Sequence, residues 1–190
     1  MTIERIAVKF PVASGASDAT ALIPVFHRWI QDNAVQGVPL DVADYRHVPN
    51  GPGVILIGHD ADWGLDSHEG PLGLIYNHKR NLQGGSDADR IAFALRQLIH
   101  AARLLEEDPA FAVTFDSSRL RITFNDRLNQ PNTPEGFAAV SAAVEAAVAE
   151  VFGAEVSLMV ERDEQDPRYR LTVHVGLSPV PSLSTLAVEA

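Results

Sequence analysis

Residues 133–153, TPEGFAAVSAAVEAAVAEVFG, spell both ends of a helix. Thr133 is an N-cap residue, Pro134 suits the first helical position, Glu135 puts an acid in the first turn, and Gly153 stands where a helix leaves through positive φ. Two further segments have helical period. Ser86 with Asp89 forms a capping-box pair, and Ile91, Leu95, Leu98, Ala102 and Leu105 follow on one stripe, which ends near Asp108-Pro109. Leu22, Val25, Phe26 and Trp29 make the third stripe, and Pro24 confines its start to residues 20–23. The three starts, near 22, 87 and 134, are unequally spaced, and no residue-level repeat links them.

Strands fill the intervals. IERIAVKFPV alternates with a period of two, PLDVADYRHV is a strand, and NGPG at 50–53 is a turn before the buried strand VILIG. LGLIYNHKR follows. FAVTF and LRITF, joined by DSSR, read as a hairpin with Phe111, Val113 and Phe115 in phase with Leu120, Ile122 and Phe124. AEVSLMVER and RYRLTVHVG make the last hairpin. Short turns between successive strands imply an antiparallel or mixed sheet. The expected fold is therefore an α+β two-layer sandwich with three helices, built from helix–strand–strand units. One domain is expected over residues 1–176, with an irregular C-terminal tail at 177–190.

Composition narrows the partners. The chain has 190 residues, 46% of them hydrophobic, a formal charge of −10 and no cysteine. Disulfides, thiolate zinc sites, iron–sulfur clusters and cysteine nucleophiles are thus excluded. The acidic balance opposes nucleic acid and anionic membranes. No run is long enough to span a bilayer, and no secretory leader is apparent, so a cytoplasmic location is expected. No HExxH, GxSxG, P-loop or GxGxxG pattern occurs, and no motif specifies a chemistry. LQGGSDADR places glycines before a helix N-terminus without the lysine of a phosphate loop, and reads as a plain cap.

Two clusters carry chemistry. GHDADWGLDSHEG, residues 58–70, reads as a loop closing a hairpin between VILIG and LGLIY. That pairing sends His59 to one end of the sheet, with Asp60, Asp62, Asp66, His68 and Glu69. It sends His78 to the other, with His47, Lys79 and Arg80. The loop fails the calcium-hand pattern, because Leu65 replaces the turn glycine and Pro71 the bidentate glutamate. His59, Asp60, Asp62, Asp66 and His68 are the candidate ligands for a divalent metal, which would make the chain a metal-dependent hydrolase. Trp63 is expected to pack the loop down.

The second cluster repeats along the strands. Arg5, Lys9, Arg119, Arg121, Arg168, Arg170 and His174 all fall on the polar side of their strands. On one sheet they make a positive face in an acidic protein. Arg119, Arg121, Arg168, Arg170 and His174 are the candidate ligand-binding residues, for an anionic small molecule or an acidic partner. This face lacks interleaved aromatics, which argues against nucleic acid. The favoured reading is a non-enzymatic module that needs no cofactor. Helix 134–152 is apolar on its stripe and alanine-rich on the other side, so it is expected to pack on that second side too, against another helix of the chain or, in a homodimer, against the same helix of a second copy.

Overall fold

The structure is a computed structural model that describes residues 2–15, 18–49, 51–67, 70–164 and 166–187. Its elements run β1 (Ile6–Gly15), a 3-10 turn (Ala19–Ala21), α1 (Leu22–Asp32), β2 (Pro39–Asp44), β3 (Val54–Gly58), β4 (Ala61–Asp66), β5 (Gly73–His78), α2 (Asp87–Glu106), β6 (Val113–Phe115), β7 (Arg119–Phe124), α3 (Pro134–Phe152), β8 (Ser157–Arg162) and β9 (Thr172–Ser178). A second 3-10 turn, Leu183–Thr185, follows. The helices begin where their caps place them. Ser86 Oγ accepts from Asp89 N while the Asp89 carboxylate accepts from Ser86 N, closing the capping box. Thr133 Oγ1 accepts from Gly136 N.

All strand pairs are antiparallel, in the order β2-β3-β4-β5-β1-β7-β9-β8, with β6 paired to the far end of β1. The chain is thus an α+β fold with three helices on one broad sheet. Ile6, Val8 and Phe10 of β1 are fully buried and face the helices, with the Phe10 ring 6.5 Å from that of Phe152 in α3. Val140, Val144, Val148 and Val151 of α3 are buried with them, as their stripe predicts. Helix α3 also packs against α2, and Arg96 meets Glu150 across that contact at 2.5 Å. Ala138, Ala139, Ala142 and Ala146 remain exposed on its outer side.

Three expectations are overturned. The acidic segment is not a hairpin loop: residues 61–66 form β4, inserted between β3 and β5, with Trp63 opposite both Leu56 and Tyr76. Ala61, Trp63 and Leu65 face the helices, while Asp62, Gly64 and Asp66 line the other side. The inserted strand reverses the expected arrangement of histidines. His59 now sits in the β3–β4 turn beside the Ala61↔His78 pair, and His47 lies beyond the opposite, Asp44↔Val54 end. His59 and His78 share an end of the sheet, and His47 does not.

The second correction concerns FAVTF and LRITF. They do not pair with each other. β6 and β7 run in the same direction along one edge of β1, β6 against Val12–Gly15 and β7 against Ile6–Lys9. The intervening residues make a jog rather than a reversal. Asp116 N donates to Pro11 O, and the Asp116 carboxylate accepts from Ser118 N and Oγ. The last hairpin forms, with Glu161 opposite His174, but its second strand begins at Thr172, so Arg168 and Arg170 precede it instead of alternating along it.

The third correction is one of burial. The alternation predicts every basic strand residue in solvent, yet Lys9 is only 4% exposed, and Arg121 and Arg170 are half-buried. A sheet this wide twists, and the twist folds its open face into a trough. Beyond β9 the tail docks: Leu183 is buried, Ser117 Oγ donates to Pro181 O at 2.6 Å, and Arg103 donates to Leu186 O at 3.3 Å.

Candidate binding site on the open face of the sheet

The side of the sheet away from the helices carries an unusual density of polar groups. Register places Asp62, Asn77, Ala7 and Thr123 in one row across β4, β5, β1 and β7, and Gly64, Ile75, Lys9, Arg121, His174 and Glu161 in the next. Lys9 Nζ lies 3.4 Å from Asp66 Oδ2, with both side chains nearly buried. Lys79 Nζ donates to Asp62 Oδ1 at 2.7 Å and to Gly58 O at 2.8 Å. Arg170 donates to Asn125 Oδ1 at 3.1 Å, and Asn125 Nδ2 donates to Asn77 Oδ1 at 2.9 Å. These links tie four strands together on the exposed side, where a sheet otherwise has only water.

Two larger cavities occupy the trough. One of about 740 Å³ is lined by Arg5, Asp62, Asp66, Asn77, Asn125 and Arg170 among others. The second, of about 370 Å³, is lined by Lys9, Arg119, Arg121 and His174, with Met159 and Pro11 as apolar wall and Glu161 as its one acid among the described residues. A small recess bounded by Lys9, Asp66, Arg121 and Arg170 joins them. Lys9, Arg119, Arg121 and His174 give the second cavity a basic lining within a chain of charge −10, with Asp66 beside Lys9, Asp116 beside Arg119 and Asp163 beside His174.

Of the residues singled out in the sequence, Arg119, Arg121 and His174 therefore meet in one cavity, and Arg170 lines the adjoining one. Arg168 does not join them. Its guanidinium is 87% exposed and holds Asp166 at 2.7 Å, an interaction that keeps the Asp166 carboxyl below its ordinary range. His174 also reaches Asp163, at 3.4 Å. Lys9, Asn125 and Asn77 complete the polar floor. Lys9 was visible as a polar-side residue, whereas the two asparagines gave no periodic signal.

The acidic candidates are dispersed. Asp62 and Asp66 share the open side but stand four residues apart on a strand, each beside a lysine. Asp60 points elsewhere, to His59 Nδ1 and Asn81 Nδ2, both at 2.9 Å, and these contacts hold its pKa below the usual carboxylate value. His68 and Glu69 lie outside the described residues. Among the described residues no three histidine or carboxylate side chains gather closely enough to hold a metal ion. No helix is long and apolar enough to cross a membrane. No family model, no curated protein and no solved structure matches the chain.

Proposed function

We propose that the protein is a binding module that takes an anionic small molecule, or the acidic group of a partner, into the basic cavity of its open sheet face. The observation that carries this reading is the convergence of Lys9, Arg119, Arg121 and His174 on a space with a single acid, Glu161, and an apolar wall. Such a lining suits a ligand with a negative head and a hydrocarbon or aromatic body. The anion gains from cations in a partly desolvated setting, and Arg119, 77% exposed, can close over it.

Anilinonaphthalene sulfonate, an anion on an aromatic body, is a direct probe. Its fluorescence should rise saturably with the native chain and weaken with salt. Arg119→Ser should lower the affinity by about tenfold, the scale of one charge-assisted hydrogen bond of ~1.5 kcal/mol. Binding that is indifferent to Arg119 and to salt would overturn the reading. The metal-hydrolase alternative requires a cation to displace Lys79 from Asp62 or Lys9 from Asp66, and it predicts a raised melting temperature in Mg²⁺ or Mn²⁺. Self-association through α3 belongs to the same proposal, supported by exposed Ala138, Ala139, Ala142 and Ala146. Ala142→Glu with Ala146→Lys should convert a dimer into a folded monomer by light scattering.

A further inference from the structure

The sheet has two edge strands, β2 and β8, and the chain treats them differently. At the first edge β2 carries Pro39, a register shift between Pro39 and Asp41, and exposed carboxylates at Asp41 and Asp44. Tyr45 N donates inward to Gly53 O, so by alternation the N–H groups of Asp44 and Val42 point away from β3. The Val42 amide is already engaged: it donates to Asp41 Oδ1 at 2.8 Å. Proline, an interrupted ladder and charge are the usual means of keeping another strand off an edge.

The second edge is left regular. β8 pairs with β9 at every residue from Ser157 to Arg162 without a register shift, and among the described residues no strand lies beyond it. Its sequence, SLMVER, holds no proline. Asp163 N donates to Thr172 O, so the same alternation turns the N–H and C=O groups of Leu158, Val160 and Arg162 outward. Leu158 and Val160 cover the core only in part, and Met159 is 61% exposed. A flat, regular edge of this kind is a template for one more strand.

The strand that fits it is β8 of a second copy. A two-fold axis perpendicular to the sheet at Val160 sets Val160 opposite Val160, Leu158 opposite Arg162 and Met159 opposite Glu161. Every outward N–H and C=O of the three residues is then matched across the junction, and no like charges face each other. The neighbouring registers are worse. An axis at Glu161 opposes that carboxylate to itself, and an axis at Met159 pairs Arg162 with Val156, outside the strand. Met159 and Glu161 also wall the basic cavity of the open face, so their counterparts in the second copy would stand directly beside that wall. Helix α3 packs on β8, and the same axis would bring its two copies to flank the junction. We infer that β8 pairs antiparallel with β8 of a second copy, joining two sheets into one and making the two basic cavities neighbours across the seam. This rests on the self-association proposed above and names the sheet edge as its main contact.

Sedimentation equilibrium over a concentration series reads the dimer. Met159→Glu sets a like charge against Glu161 of the other copy on both sides of the axis, and it changes a side chain that is already exposed. It should raise the dissociation constant about tenfold and leave the circular dichroism spectrum unchanged. Adding Glu161→Lys makes each of those pairs attractive and should restore most of the lost affinity. Cysteine tests the register, because the chain has none of its own. Val160→Cys places two thiols on the axis, in a pair with Cα atoms about 5.5 Å apart and within disulfide reach, and mild oxidation should link the chains. Met159→Cys, more exposed but displaced from the axis, should link severalfold more slowly. A native chain that stays monomeric at every concentration would overturn the pairing, as would Met159→Cys linking faster than Val160→Cys. A dimer indifferent to Met159→Glu but lost in Ala142→Glu with Ala146→Lys would overturn it as well, and would leave self-association through α3 standing.

Discussion

Tyr76 Oη and His78 Nδ1 are 2.6 Å apart, two residues along β5 and on the same side of the sheet, with both side chains buried. Burial, reinforced by the Asp60 carboxylate, pushes the Tyr76 hydroxyl far above its ordinary pKa, so it remains a donor across the whole working range. Tyr76→Phe would delete the partner of a buried nitrogen and leave the shape of the core intact. The expected loss is about 1–3 kcal/mol in urea denaturation. A change within a few tenths would mean that the His78 ring has another partner.

His78 should also write a pH signature into stability. Burial lowers its pKa from the ordinary 6.5 in the folded chain. The unfolded chain then binds more protons as pH falls through 6.5, so the contribution of the neutral ring is complete above that pH and declines below it. The advantage of the native chain over His78→Gln should therefore be larger at pH 7.5 than at pH 5. NMR should place the His78 midpoint below the ordinary 6.5. A midpoint at or above 6.5 would contradict the burial.

Lys9 and Asp66 form an ion pair on the open face, with side chains 5% and 11% exposed. Lys9→Met takes a cation from beside the nearly buried Asp66 carboxylate, which should cost about 3 kcal/mol. Lys9→Met combined with Asp66→Leu should recover most of it, since an apolar pair does not need compensation. Additive losses in the double variant would show that the two residues act independently.

Gly136 sits in the first turn of α3, where helix propensity alone favours alanine by about 0.5–1 kcal/mol. A Cβ at this position would lie 2.0 Å from the Pro131 carbonyl oxygen, a backbone atom. The clash should outweigh the propensity, and Gly136→Ala should destabilise by about 1–3 kcal/mol. A stabilised variant would mean that the 131–133 segment can move aside.

The chain's own letters decided whatever depends on near neighbours. The Thr133 and Ser86 caps, the Pro24 limit and the Val140–Val151 stripe are each complete within one turn or one face of a helix, and the three helices start where those residues put them. Strand alternation likewise assigned Ile6, Val8 and Phe10 to the core and Arg119, Arg121 and His174 to the opposite side. Partnership was decided only in three dimensions. β6 could satisfy its backbone with β7 or with β1, and the same period-two pattern fits both; Asp116 and Ser118 make a jog whose direction the sequence does not carry. Residues 61–66 held the alternation of Ala61, Trp63 and Leu65 all along, but their aspartates and glycine have the composition of a turn. Asp62 and Asp66 become tolerable in a central strand because Lys79 and Lys9 arrive from neighbouring segments 17 and 57 residues distant in the chain. The trough, and with it the company kept by each arginine, follows from the twist of the assembled sheet, a property that no single strand possesses.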